Sequence, residues 1–399
     1  MIRHLFTLIW NRKKNNFLMI TEIFFSFIVL FGVLSLAFYY IDNYNKPLGY
    51  QHDKVWVMTL RWNQEKPKEV KEIQGRLQQQ LKSNPEVEGV ALVSSNVPYT
   101  MQQMSGDFHH NNRRTQSDFF QVDKDFAAIM QLKIKDGRWF NDQDQNSKFN
   151  SIVITQSLRD AVFKEEPVIG KVVAGMSGDD KNPKNKIIGV VEAYKQKGEY
   201  SEDKPGFFEY KYLENAADST WVPFNSVLIR VKPGVTSAFE EKLMKQASQV
   251  AKGWTLEIKS MNEMRISQNK LALIPLIVFS VVCGFLIINV ALGLFGVLWY
   301  NISRRISEIG LRRAIGAASG QVYRQFIGEV LVLATFGILF GMVVAAQFPL
   351  LQVFGVQTGV YIAALGSAVV IIYALAAGCA AYPSLQAAKI APATALHEE

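Results

Sequence analysis

The 399-residue chain carries 43 Lys and Arg against 35 Asp and Glu, a net charge of +8, and 49% of its residues are hydrophobic with a mean hydropathy of only +0.06. That average hides four apolar runs, at 17–41, 271–299, about 326–350 and about 360–382, each with at most one charged residue. The charge balance excludes nucleic acid as a partner, because segment 42–270 holds 33 basic against 30 acidic residues and the remaining basic residues all flank the apolar runs.

Residues 1–16, with Arg3, Arg12, Lys13 and Lys14, read as a cytoplasmic amphipathic N-terminus. The run 17–41 is long enough to cross a hydrocarbon core of ~30 Å at ~1.5 Å per residue. Ser35-Leu36-Ala37 has the small-x-small pattern of a signal-peptide cleavage site, but the run is too long and continues through Phe38, Tyr39, Tyr40 and Ile41. An uncleaved anchor is therefore expected. Glu22 lies inside it, where a charge costs at least ~2.5 kcal/mol in lipid. Two readings of Glu22 stand: a functional intramembrane carboxylate, or a group near the cytoplasmic end that pairs with Arg12, Lys13 or Lys14 or is protonated.

The segment 42–270 is long enough for one or two folded domains, and the basic residues outside it place it on the far side of the membrane. The only two cysteines, Cys283 and Cys379, lie in other apolar runs, so no disulfide staples this segment. Its two ends read alike. VWVMTL (55–60), a helix from about Lys66 with Val70, Ile73, Leu77 and Leu81 on one face, and VEGVALVSS (87–95) form one strand–helix–strand unit. SVLIRV (226–231), a helix with Phe239, Leu243 and Val250 on one face, and WTLEIK (254–259) form another. Two such units side by side make a ferredoxin-like, porter-like sandwich over 50–95 and 226–265. The intervening 96–225 reads as an inserted, strand-rich subdomain, with SIVITQ, Gly170–Val173 and KIIGVVEAY as strands and FFEYKYL (207–213) as an edge or exposed strand. The fold class expected is thus a membrane protein with four transmembrane α-helices, one before and three after a large α+β extracytoplasmic domain.

The second span, 271–299, contains Asn289 with Gly284, Gly293 and Gly296, and the fourth, 360–382, is rich in Ala and Gly. Small residues let helices approach closely and an amide can bond across an interface, so these are packing signals of a bundle or dimer. Between the second and third spans, 301–325 reads as a short amphipathic cytoplasmic helix. Ile302, Ile306 and Ile309 share one face, and Arg304, Glu308 and Arg312 line another, with Glu308 to Arg312 in the favourable i, i+4 order. Gly316 and Gly320 interrupt it, and Ser319 is placed to cap the next helix, which carries Arg324 and Glu329 into the span at 326–350. Physics alone leaves two readings open here: arginines that fix topology and meet anionic headgroups of membrane lipids, or a helix that another protein grips.

Catalytic chemistry is not legible. No G-x-x-x-x-G-K-[ST] occurs, so no nucleotide-binding loop is recognisable. His109 and His110 are adjacent rather than at ligand spacing, and the acidic residues of 118–144 read as solvated loop charges. No cofactor, metal or catalytic residue is assigned to the chain.

A resemblance favours the gripped-helix reading of the loop, with the arginines serving both to fix topology and to meet the partner. RRISEIGLRRAIGAASGQVYRQFIGE is similar to the R-x-x-E-I-G-[IL]-R-[RK]-A-[IL]-G-A signature of the MacB/FtsX-like ABC transporter permeases. The segment YPSLQAAKIAPATALHEE (382–399, running into the cytoplasmic tail 383–399) resembles that family's Y-P-A-x-x-A-A-x-x-x-P-x-x-A-L ending, with Ser384 the departure. LKIKDGRWFNDQD, EEPVIGKVV and KIIGVVEAY are similar to landmarks of the MacB-type periplasmic core. The resemblance implies a permease dimer, homomeric or heteromeric, in the bacterial inner membrane with both termini cytoplasmic and 42–270 periplasmic. It further implies an ABC ATPase on a separate chain, which binds ATP and Mg, and a mechanism in which ATP-driven closure reshapes the periplasmic domain. By motif, Arg304, Arg305, Glu308, Ile309, Gly310, Arg312, Arg313, Ala314, Gly316, Pro383 and Pro392 are expected at the ATPase contact. The function implied is efflux of peptides, antibiotics or lipidated cargo with a periplasmic adaptor and an outer-membrane channel. The alternatives are an FtsX-like transmitter regulating a cell-wall hydrolase, or LolC/LolE-like lipoprotein release.

Overall fold

The computed structural model describes residues 13–111, 113–164, 166–176, 184–213, 222–351 and 353–389, without the side chains of 13–16, 301, 313 and 354. The chain divides into two compact units, a membrane unit of Met1–Asp42 with Leu273–Glu399 and a polar unit of Asn43–Ala272.

The polar unit is built on one eleven-stranded sheet. Its first half comprises β1 (Val55–Arg61), α2 (Pro67–Lys82) and β2 (Val87–Val93), after helix α1 (Lys13–Asn45) of the first apolar run. α2 starts with Pro at its first position, has Glu69 in the first turn and Lys82 in the last, and lays Val70, Leu77 and Leu81 against the sheet with no exposure. The second half of the sheet follows: β3 (Ser105–His110), β4 (Arg113–Val122), the one-turn α3 (Phe126–Met130), β5 (Ile134–Gly137), β6 (Asn150–Thr155), β7 (Val172–Val173), β8 (Asn185–Val191) and β9 (Gly206–Tyr210). The chain then returns through β10 (Ser226–Val231), α4 (Ser237–Val250) and β11 (Thr255–Ser260).

The strands run β11-β1-β10-β2-β4-β9-β6-β8-β5, with β3 on β4 and β7 on β8. The first four are all antiparallel, the order of a ferredoxin-like split. The two strand–helix–strand units therefore interleave, β10 inserting between β1 and β2, where side-by-side packing was expected. Each helical crossover here joins two parallel strands that are not neighbours, and the antiparallel β10 fills the place between β1 and β2. Met58, Leu60, Val90, Ile229 and Ile258 face α2 and α4, while Val57, Ala91, Val93 and Leu228 face the opposite way into a second core.

That second core is aromatic. Phe120, Phe126, Tyr194 and Phe208 pack with ring centroids 4.7 to 6.2 Å apart. FFEYKYL corrects its expected edge position: β9 lies between β4 and β6, and Phe207 and Phe208 are buried on opposite faces. A strand covered on both faces loses the polar alternation that marks an exposed one.

The two halves of the sheet join at β2 and β4 through one ladder pair, Val93 with Val122, flanked by Ser94 N–H to Gln121 O and Asp123 N–H to Leu92 O. Asp123 closes this seam from below. Its carboxylate accepts from Leu92 N–H at 2.8 Å, Gln78 Nε2 at 3.0 Å and Asp125 N–H at 3.0 Å. Burial pushes its carboxyl up to about 7, against the donated hydrogen bonds and Lys82 and together with neighbouring Asp125. The loop after β8 ties the two points where the chain enters and leaves this unit. Lys195, 1% exposed, donates to the carbonyls of Asn43 and Lys46, and Glu199 pairs with Arg265.

The membrane unit holds the apolar parts of α1 and α5 (Met261–Ser303), then α6 (Ile306–Ala314), α7 (Ser319–Ala345) and α8 (Thr358–Lys389), with a short helix at Gln347–Leu350. Four helices are long and apolar enough to cross a membrane among the described residues. α8 packs through Ala364, Ala368, Ile372, Ala376 and Ala380, spaced one turn apart and buried. α1 crosses α7 where Phe27 and Ile23 meet Gly341 and Gly337; a Cβ on Gly341 would lie 2.4 Å from the Phe27 ring. α5 differs from the other three: only 6% of its most apolar stretch is covered, against 33% for each of them.

Candidate functional site

The loop between α5 and α7 is the most densely charged part of the membrane unit. α5 ends at Ser303, Arg304 and Arg305 form a turn, and α6 begins at Ile306. Ile302 thus belongs to α5, yet it still meets Ile309 in a small core completed by Val322 and Phe326 of α7 and Ala387 of α8. That core fixes α6 against the ends of three helices. Gly316, at φ +101, reverses the chain after α6, a conformation that a side chain would strain. Ser319 corrects its expected role: Ala318 takes the extended N-cap conformation without a side-chain bond, and Ser319 and Gly320 are the first residues of α7.

The polar side chains form one chain of contacts. Glu308 pairs with Arg312 one turn on; Arg312 Nη1 donates to Gln325 Oε1 at 3.0 Å; Gln325 Nε2 donates to Glu329 Oε1 at 3.3 Å; and Arg305 Nη1 reaches both Glu329 oxygens at 3.3 Å. Arg305 and Glu329 are 16% and 18% exposed, so their attraction is screened less than that of a surface pair. Arg304 places its guanidinium carbon 4.8 Å from the Tyr300 ring centroid.

Of the residues expected at a partner contact, Arg304, Glu308, Arg312, Ala314 and Gly316 are exposed, and the backbone of Arg313 continues α6. Ile309 and Gly310 are buried on the inward face, so they seat the helix. Pro383 is buried inside α8, which runs on unbroken to Lys389, and Pro392 lies outside the described residues. Two features escaped the sequence reading. Glu329 and Gln325 were not recognised as partners of the arginines, and Leu311 and Ile315, 52% and 78% exposed, extend the outer face of α6. The spacing 308, 311, 312, 315 carried that face all along.

The two intramembrane candidates do not join this site. Glu22 sits against Gly293 of α5, where a Cβ would lie 2.7 Å from its Oε2. Asn289 is exposed and donates to Phe285 O on its own helix at 2.8 Å, not across an interface. Among the described residues no group of three or more metal-ligating side chains occurs.

An exposed helix face of paired charges and apolar side chains, seated on the ends of three helices, is a surface on which a partner can dock. The MacB-like periplasmic core domain model matches residues 24–246, and the FtsX-like permease C-terminal model matches 276–392. The macrolide export ATP-binding/permease protein MacB 2 of Aeromonas hydrophila is 26% identical over 251 residues, 62% of this chain and 37% of that protein. The uncharacterized ABC transporter permease YknZ of Bacillus subtilis is 22% identical over 259 residues, 64% of this chain and 62% of that one. The periplasmic region of MacB from Actinobacillus actinomycetemcomitans aligns at 15% identity and a TM-score of 0.39, over 55% of this chain and 94% of that one. The matched region thus spans less than two thirds of the length of these curated relatives.

Proposed function

The chain belongs to the MacB/FtsX-like ABC permease family, and we propose that it is the membrane subunit of a complex in which an ATPase moves the spans and thereby reshapes the polar unit, driving efflux of peptides, antibiotics or lipidated cargo. In this reading the membrane is the bacterial inner membrane, α6 and both termini are cytoplasmic, and 42–270 is periplasmic. The chain itself is non-catalytic. ATP and Mg bind to the partner ATPase.

The observation that carries the reading is α6, whose outer face of Glu308, Leu311, Arg312 and Ile315 is exposed while Arg305, Glu329 and the Ile302–Ile309 core hold its inner face. A second permease subunit covers the outward face of α5, where Ile277, Val281, Phe285 and Leu292 are exposed in a row. A periplasmic adaptor and an outer-membrane channel complete the route for cargo.

The test is co-purification with the ATPase and stimulated ATP hydrolysis. Leu311→Asp and Ile315→Asp each lower both by about tenfold or more, the range of an interface anchor, while membrane levels stay normal. Wild-type values for both variants overturn the docking role. Affinity capture with the full chain separates the branches: adaptor and channel support efflux, a cell-wall hydrolase moves the chain to the FtsX-like reading, and lipoproteins move it to the LolC/LolE-like one.

A further inference from the structure

The aromatic core does not cover the whole of the sheet face turned away from α2 and α4. It takes Val57, Ala91, Val93 and Leu228. Past Val57 a cleft of about 390 Å³ opens, lined by Thr59, Arg61 and Ser226 of the sheet, Ser95 and Val97 of the chain after β2, and Met264 of α5. All of these residues belong to the polar unit. The volume falls within the ~300–1,000 Å³ of ordinary ligand pockets.

The lining is graded. Side chains alternate across a strand, so Val57, Thr59 and Arg61 form one row on this face, about 13 Å long at ~3.3 Å per residue, and Ser226 of β10 stands opposite Thr59. The row runs from apolar through hydroxyl to guanidinium. Val97 and Met264 join Val57 in the aromatic core at its apolar end, while Arg61 is exposed at the other. Arg61 has no ion pair among the described residues: Glu257 of β11, across from Thr59, is engaged by Lys259 at 2.5 Å. No carboxylate lines the cleft among the described residues. Its one charge is therefore positive and selects a monoanion, and the planar fork of a guanidinium matches a carboxylate. The hydroxyls of Thr59 and Ser226 make no hydrogen bond among the described residues, and Ser226 is only 3% exposed. A hydroxyl so buried normally has a partner. The orphan hydroxyls of Tyr99 and Tyr194 are sealed from any ligand, whereas that of Ser226 opens on the cleft.

We propose that this cleft binds a small organic monocarboxylate with an apolar arm. The carboxylate pairs with Arg61, Thr59 and Ser226 donate to acceptors in the middle of the ligand, and the arm lies against Val57, Val97 and Met264. A free branched-chain acid and the C-terminal end of a short peptide share this chemistry. The site is independent of ATPase docking, since no residue of α6 contributes to it.

The experiment titrates the purified full chain in detergent by calorimetry with N-acetyl-leucine, which carries a carboxylate, an amide and an isobutyl arm. Wild type binds it saturably. N-acetyl-leucinamide, its neutral isostere, binds about tenfold more weakly for want of a charge-assisted hydrogen bond. Acetate, which lacks the arm, also binds about tenfold more weakly, as the loss of two buried methylenes implies. Arg61→Gln lowers affinity for the acid about tenfold and leaves the amide as it is in wild type, a pattern that misfolding would not produce. Ser226→Ala lowers affinity for both about fivefold. Gly-Gly-Leu and 4-methylpentanoate separate the sources: tighter binding of the first supports a peptide end, and tighter binding of the second a free acid. Equal binding of acid and amide by wild type, or equal binding of the acid by Arg61→Gln and wild type, overturns the proposal. So does the lack of saturable binding by every probe at millimolar concentration. Wild-type affinities in Ser226→Ala overturn the part given to Ser226.

Discussion

The cores of the two units are assembled on opposite rules. In the polar unit, large side chains fill the interior: Phe120, Phe126, Tyr194 and Phe208 interlock over a twisted sheet, and removing them from water supplies the stabilisation. In the membrane unit, the closest contacts fall on the smallest residues, Ala364 to Ala380 on α8 and Gly337 and Gly341 beneath Ile23 and Phe27 of α1. Lipid tails are as apolar as leucine, so burial gains little there and close approach of backbones gains more. The same kind of substitution should therefore act oppositely in the two places: truncation damages the first core, enlargement the second.

The largest effect is expected from Phe208→Ala, which empties the centre of the aromatic cluster and costs about 3–5 kcal/mol, read as a fall in the unfolding midpoint of the polar unit. Gly341→Ala, a change of one methyl group, drives a Cβ into the Phe27 ring and costs about 1–3 kcal/mol; a thermal melt of the purified membrane protein at wild-type stability would break the comparison. Asp123 sharpens it from the electrostatic side. Its carboxyl is raised in the folded state to about 7 from an ordinary value near 3.8, so the folded form holds the proton more tightly. Its contribution to stability is fully present below pH ~4 and is lost as pH rises through ~7. A melting series from pH 5 to 8 should show wild type losing stability relative to Asp123→Asn, whose slope across that window is shallower. The smallest effect belongs to Ser384→Ala. Ser384 Oγ is buried without a hydrogen-bond partner among the described residues, so the alanine is neutral to stabilising by up to about 1 kcal/mol, measured in the same melt.

The four spans and the strand–helix–strand pattern were legible because each carries its own period: unbroken apolar runs, Val70–Leu77–Leu81 on a helix face, β-branched alternation in β1 and β10. Strand order was not, because nothing local in SVLIRV says that β10 enters between β1 and β2. β9 misled for a related reason, its aromatic run being equally suited to an edge or to the doubly covered position it occupies. In the loop between α5 and α7, Glu308 and Arg312 declared themselves by spacing. Glu329 did not, since its partner Arg305 is 24 positions away and the two meet only when α6 folds back on α7. Ile309 and Gly310 share a motif with the exposed arginines, and only the packing of Ile302, Val322 and Phe326 shows that they face inward.

The position of the seam in the sheet has a consequence for the history of the polar unit. Val93, the last residue of β2, pairs directly with Ser226, the first of β10, and Asn225 N–H donates to Val93 O. Those two strands are antiparallel neighbours whose adjacent ends a tight turn would suffice to connect. Everything from Ser94 to Asn225, including seven strands of the sheet, occupies the place of that turn. The larger half of the unit is thus an elaborated hairpin loop, a cassette that enters and leaves the small sheet at one point. The cassette has become part of the frame it enters, because Val57, Ala91, Val93 and Leu228 of the small sheet bury their second face beneath its Phe120, Phe126, Tyr194 and Phe208.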